Sequence, residues 1–160
     1  MQLILASTSP RRSELLALLG LPFEIVAPDF EELPRPGWSP RQQVEYFARE
    51  KARSIAITRP AALVLGSDTV IDLNGQMLGK PADLADARAM LAGMAGRSHV
   101  VHTAVALCRQ TPHHEAAMLV TATVRMKTYD AAAIERYLAT QEPMGKAGAD
   151  RKSTRLNSSH

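Results

Sequence analysis

Residues 6–16, ASTSPRRSELL, place three hydroxyls (Ser7, Thr8 and Ser9) and two adjacent guanidinium groups, Arg11 and Arg12, between an apolar run and a helix-like stretch. Backbone N–H groups at a helix N-terminus attract anions, and arginine forks match phosphate oxygens. Phosphate binding is therefore the chemistry this stretch suits. It lacks the GxxxxGK[ST] spacing of a P-loop. On pattern alone, a capped helix with solvated arginines is the commoner meaning.

A second candidate is Lys51, in YFAREKARSIAI. At about 100° per residue, it falls in the middle of the apolar stripe formed by Val44, Phe47, Ala48 and Ile55, while Arg49 and Arg53 point elsewhere. A lysine on an inner face must snorkel, pair with an acid or enter a cleft, and snorkelling is the usual outcome. The third candidate is the hairpin signal in DTVIDLNGQMLGKP. With Asn74-Gly75 as a two-residue turn, the register sets Leu73 against Gln76, Thr69 against Lys80 and Asp68 against Pro81. An acid and a lysine then converge at the open end of the hairpin. Asp68 also follows a buried apolar strand, where α/β folds often build sites. A structural ion pair accounts for Asp68 and Lys80 equally well.

Other chemistry-bearing residues form no pattern. His99 and His102 are three apart on a strand and face opposite sides, which argues against zinc. His113 and His114 sit in a polar loop and read as solvated. Met90, Met94, Met118 and Met126 read as core filler. The lone Cys108 excludes a disulfide framework and a multi-cysteine zinc site.

These residues need elements to hold them. LILA (3–6) reads as a buried strand, with Ser9 as N-cap, Pro10 at the first helical position and Gly20 closing the helix. FEIVA (23–27) is a second strand, followed by the acidic, proline-rich PDFEELPRPGW. Ser39, Pro40 and Gln42 form a capping-box pattern opening a helix to about Ile57. ALVLG (62–66) is a third strand, ahead of the hairpin. DLADARAMLAGMAG is a helix ending near Gly96, HVVHTAVALC and AAMLVTATVRMKTY are strands, and Asp130 caps a last helix through Ala139. Strands and helices mix without internal repeat, so the class is α/β.

The chain has 160 residues, 46% of them hydrophobic, enough for one domain with a core. No apolar run approaches the roughly 18 residues of a membrane span, and no signal peptide is evident, so no membrane partner and a cytoplasmic location are expected. The 19 basic residues exceed the 16 acidic ones by three. Three of the basic ones (Arg151, Lys152 and Arg155) lie in the acid-free RKSTRLNSSH ending, so residues 1–150 are neutral overall. A neutral body argues against a nucleic-acid-coating protein.

Taken in order, LILASTSPRRSELL, EE at 31–32, AREKA, GSDTVI, GKP, TAVAL and EPMGKAGA resemble the Maf family of nucleoside triphosphate pyrophosphatases, from residue 3 to about 149. The resemblance implies a mixed, twisted sheet flanked by helices around a central cleft, similar to the inosine triphosphate pyrophosphatases. It implies cleavage of the α–β phosphoanhydride of a nucleotide substrate, giving nucleoside monophosphate and pyrophosphate. Asp68 would be the general base, and Glu32 with Asp68 would hold a divalent Mg²⁺ or Mn²⁺. Lys51 and Lys80 would neutralise charge on the phosphates. Ser7, Arg11, Arg12 and Thr69 would line the substrate pocket.

Relatives similar to 7-methyl-GTP pyrophosphatases carry an aromatic at the place of Arg11 and glutamine at that of Thr69. Those similar to dTTP/UTP enzymes carry arginine and threonine, as here, so the resemblance implies dTTP or UTP. A 7-methyl-GTP or other modified-nucleotide enzyme is one alternative, and a non-catalytic nucleotide-binding regulator of septum formation is another. Homodimerisation is common among similar proteins. The domain is expected over 1–150, incomplete at its C-terminus, with 151–160 a non-native tail resembling translated adapter DNA.

Overall fold

The computed structural model describes residues 1–141 and Met144. The elements run β1 (Leu3–Ala6), α1 (Pro10–Ala17), β2 (Glu24–Val26), α2 (Pro40–Ala56), β3 (Leu63–Leu73), β4 (Gln76–Leu78), α3 (Leu84–Met94), β5 (Ser98–Arg109), β6 (His114–Arg125) and α4 (Ala131–Leu138). The EPMGKAGA motif (apart from Met144) and the expected tail at 151–160 lie outside the described residues. The six strands form one mixed sheet in the order β2-β1-β3-β5-β6, with β4 paired to β3. β1 runs parallel to both β2 and β3, in register Ala6↔Val26 and Ala6↔Gly66. None of the described helices is long and apolar enough to cross a membrane.

Local chemistry sets most of these bounds. The Ser39 hydroxyl accepts from the Gln42 N–H while the Gln42 side chain accepts from the Ser39 N–H, completing the capping box that starts α2. Asp83 and Asp130 cap α3 and α4. α1 is different: Ser9 stands at the N-cap and Pro10 follows, yet the Ser9 side chain makes no capping bond. Asn74 and Gly75 both take positive φ, 54° and 85°, as a two-residue turn between β3 and β4 requires.

Three expectations about the strands need correction. ALVLG and the first arm of the hairpin are one continuous strand of 11 residues, because nothing in GSDTV interrupts the extended backbone. The hairpin register is as expected at Leu73↔Gln76, but the ladder ends at Ile71↔Leu78 and does not set Thr69 against Lys80. Gly79 and Pro81 flank Lys80; proline has no N–H to donate and restricts the residue before it, so pairing stops there. His114 opens β6 rather than lying in the loop, though it remains exposed. Met94 and Met126 are buried, but Met118 is 64% exposed on β6 and fills no core.

The chain forms two compact units. The first comprises Met1–Thr69 and Thr103–Val120, and its buried centre includes Ile4, Leu5, Val44, Phe47, Ala48 and Val64. α2 presses closely on β3 there: a Cβ on Gly66 would stand 2.3 Å from the Ala48 carbonyl oxygen and 2.7 Å from the Ala52 nitrogen. Only glycine permits that approach. The second unit comprises Val70–His102 and the chain from Thr121 onward. Ile71, Leu91, Met94, Val101, Val124 and Ile134 are buried together in it. His102 there bonds Asp72 at 3.2 Å and Thr121 at 2.9 Å, while the other Asp72 carboxylate oxygen accepts from the Gly75 N–H in the turn.

Candidate functional site

Where β1 ends, beside β3, the first unit gathers a group of charged side chains. Ser7 follows β1 and is buried. Its hydroxyl accepts from the Ser9 N–H at 3.2 Å and from Arg12 Nη1 at 3.4 Å. The other terminal nitrogen of Arg12, Nη2, donates to Asp68 Oδ1 at 3.3 Å. Asp68 lies two residues beyond Gly66, on the strand that pairs with β1. The carboxyl end of parallel strands is a common place for ligand sites in α/β sheets.

Lys51 comes to the same point from α2. It is 4% exposed, on the face that buries Val44, Phe47, Ala48 and Ile55, and it does not snorkel. Its ammonium pairs with Asp68 Oδ1 at 3.1 Å and with Glu32 Oε1. The close contact of α2 with Gly66 brings the Lys51 backbone within reach of Asp68. Glu32 arrives from the irregular segment between β2 and α2, with its side chain half exposed. Lys51 thus stands between two carboxylates.

The electrostatics single out Asp68. Burial pushes its carboxyl above the usual aspartate value; the Lys51 charge pulls it down, Glu32 pushes it up again, and Arg12 pulls it down. Burial prevails. Oδ1 serves both cations, whereas Oδ2 is buried with no hydrogen-bond partner among the described residues. A buried oxygen of that kind needs a partner from beyond the described residues, such as a water proton or a cation.

A divalent cation fits this donor set. Mg²⁺ is commonly held by one or two carboxylates together with substrate phosphates and water, rather than by an all-protein cage. Asp68 and Glu32 are two such carboxylates. No group of three or more His, Cys, Asp or Glu among the described residues is placed to hold a metal.

The sequence candidates divide accordingly. Ser7, Arg12, Glu32, Lys51 and Asp68 meet through direct contacts. Arg11 is exposed on the first turn of α1 and is not among the groups touching Asp68. Thr69 shares its hydroxyl with Thr103 at 3.1 Å. Lys80 belongs to the second unit, exposed in the segment after β4, and makes no ion pair among the described residues. Sequence reasoning passed over Gly66 and Thr103, and also the Arg35 clamp described below. The Gly66 signal was present as alanines at 48 and 52, four apart on the helix, facing a glycine in a buried strand.

Comparison with known proteins agrees with this architecture. Over 159 residues the chain is 48% identical to a protein of Shewanella oneidensis named dTTP/UTP pyrophosphatase, covering 93% of this chain and 80% of that one. A protein of the same name from Symbiobacterium thermophilum is 45% identical over 151 residues, covering 92% and 75%. Among solved structures, the Staphylococcus aureus Ham1 protein matches with a TM-score of 0.55 at 12% identity, over 78% of this chain and 71% of that one, a likeness of fold alone. The family model described as Maf-like protein matches residues 2–154, and the chain belongs to that family.

Proposed function

We propose that this chain hydrolyses nucleoside triphosphates, dTTP and UTP foremost, to nucleoside monophosphate and pyrophosphate. Relatives named dTTP/UTP pyrophosphatase at 42–48% identity support the reaction class and substrate. The observation that carries the mechanism is Asp68, buried, with one oxygen held by two cations, the other unpartnered, and an affinity for protons above that of an ordinary aspartate. Those are the properties of a general base aimed at a water molecule.

In this mechanism Asp68 Oδ2 takes a proton from water as its oxygen attacks the α-phosphorus. The bond from that phosphorus to the bridging oxygen breaks, and pyrophosphate leaves. Lys51 and Arg12 hold Asp68 in place and present positive charge to the phosphates, where charge builds in the transition state. Glu32 and Asp68 would hold a divalent cation, which when bound neutralises phosphate charge. Thr69, fixed by Thr103, and Arg11 are the residues that favour a pyrimidine nucleotide.

The test is product analysis with dTTP, UTP and 7-methyl-GTP in competition, with and without Mg²⁺. Pyrophosphate released first from dTTP and UTP, and only with metal, is the expected result. Orthophosphate as product would overturn the bond assignment, 7-methyl-GTP preference the substrate, and tight nucleotide binding without turnover the enzyme itself.

A further inference from the structure

Glu32 lies in a segment with no regular structure, between β2 and α2. Such a segment does not by itself hold a carboxylate in place. Two anchors flank it. On one side, the Phe30 ring stands 5.9 Å from both Tyr46 and Phe47, edge-on to the former. On the other, the Arg35 guanidinium lies over Tyr46 at 4.2 Å and over Trp38 at 5.0 Å, and its Nη2 donates to the Tyr46 hydroxyl at 2.6 Å. The Arg35 backbone N–H also donates to Gln43 Oε1 at 2.8 Å, and Gln43 Nε2 donates to the Trp38 carbonyl at 3.3 Å.

Trp38 apart, every anchor is on α2. Gln43, Phe47 and Lys51 are spaced four apart, so they form one row along the helix. That row grips Arg35, Phe30 and Glu32 respectively. The segment is therefore a strap laid along the helix that also supplies Lys51. Arg35 is exposed and Trp38 is 39% exposed, so the clamp adds little to any core and acts mainly on where the strap lies.

We infer that Arg35 and Tyr46 are positioning residues that seat Glu32 on Lys51, and through it set the affinity of the site for its divalent cation. The cation part rests on the function proposed above; the seating of Glu32 does not, and the two are tested separately. Full-length Arg35→Ala, Arg35→Lys and Tyr46→Phe are compared with wild type and with Glu32→Gln, after equal denaturation midpoints confirm folding.

Trp38 is the only tryptophan, so acrylamide quenching reports whether the clamp is open. Acylation of Lys51, followed by mass spectrometry without metal or nucleotide, reports whether Glu32 is seated. Arg35→Ala is expected to expose Trp38 and to raise Lys51 labelling to the Glu32→Gln level. It should raise the Mg²⁺ needed for half-maximal pyrophosphate release by about tenfold, with kcat at saturating Mg²⁺ nearly unchanged. Tyr46→Phe and Arg35→Lys should fall between. A quenchable Trp38 with Lys51 labelling still at the wild-type level would overturn the inference, because the clamp would then open without moving Glu32. Loss of seating with an unaltered Mg²⁺ requirement would overturn the cation part alone. Wild type releasing no pyrophosphate would count against the proposed function, while Lys51 labelling would still decide the clamp.

Discussion

Asp68 carries opposed demands. Its folded-state proton affinity is raised, so its contribution to stability is greatest at low pH and is lost as pH rises through that raised value. At neutral pH the ionised carboxylate therefore works against folding. Asp68→Asn is expected to lower turnover by about 10²–10⁴-fold, as for a lost general base, and to remove the part of the pH dependence of melting that Asp68 contributes. The wild-type rate should decline as pH falls through a value above the ordinary aspartate range. Paired activity and thermal-melt measurements across pH check both. At this scale the sequence was partly legible. Lys51 showed itself because a lysine in an apolar helical stripe breaks the period, and its burial with two acids answers why it is there. Glu32 has no period to break and came only through family resemblance. The hairpin register beyond Leu78 was not legible, because extending it past glycine and before proline assumes hydrogen bonds that those residues do not make.

Among elements, α2 has the most to hold together. Besides Lys51 and the strap, it sends Arg49 and Arg53 to Glu115 on β6, at 2.7 Å and 2.9 Å. Burial pushes the Glu115 carboxyl up, but hydrogen bonds from the two arginines outweigh it and leave the group below its usual value. A depressed carboxylate stabilises the fold above the unfolded-state value, and that stability is lost as pH falls through the folded one. Glu115→Gln should therefore cost about 1–3 kcal/mol at neutral pH, and the difference from wild type should close on acidification. Denaturant titrations at several pH values would show it. The bounds of α2, α3 and α4 were readable because their caps are local chemistry. The join of β3 into one long strand was not, since extended backbone through GSDTV depends on neighbours supplied by β1 and the rest of the sheet.

For the molecule as a whole, the useful fact is that each compact unit has its own buried centre. Phe47 is 2% exposed in the first and Met94 fully buried in the second. Phe47→Ala is expected to cost about 3–5 kcal/mol and Met94→Ala about 2–5 kcal/mol. Native-state hydrogen exchange should speed up first among the amides of the unit that carries each substitution. The α/β class and the order of elements were legible, because periodicity and turn residues mark them one at a time. The division into two units was not, for it depends on pairings between residues far apart in the chain. Gly66 has a consequence for how such a sequence can drift. Every replacement there brings a Cβ into the backbone of α2, so the position has no neutral neighbours in sequence space, whatever nucleotide the protein takes. Across relatives that differ in substrate, glycine should persist there while residues in contact with the nucleotide base vary. An alignment would then separate what the scaffold demands from what selectivity does.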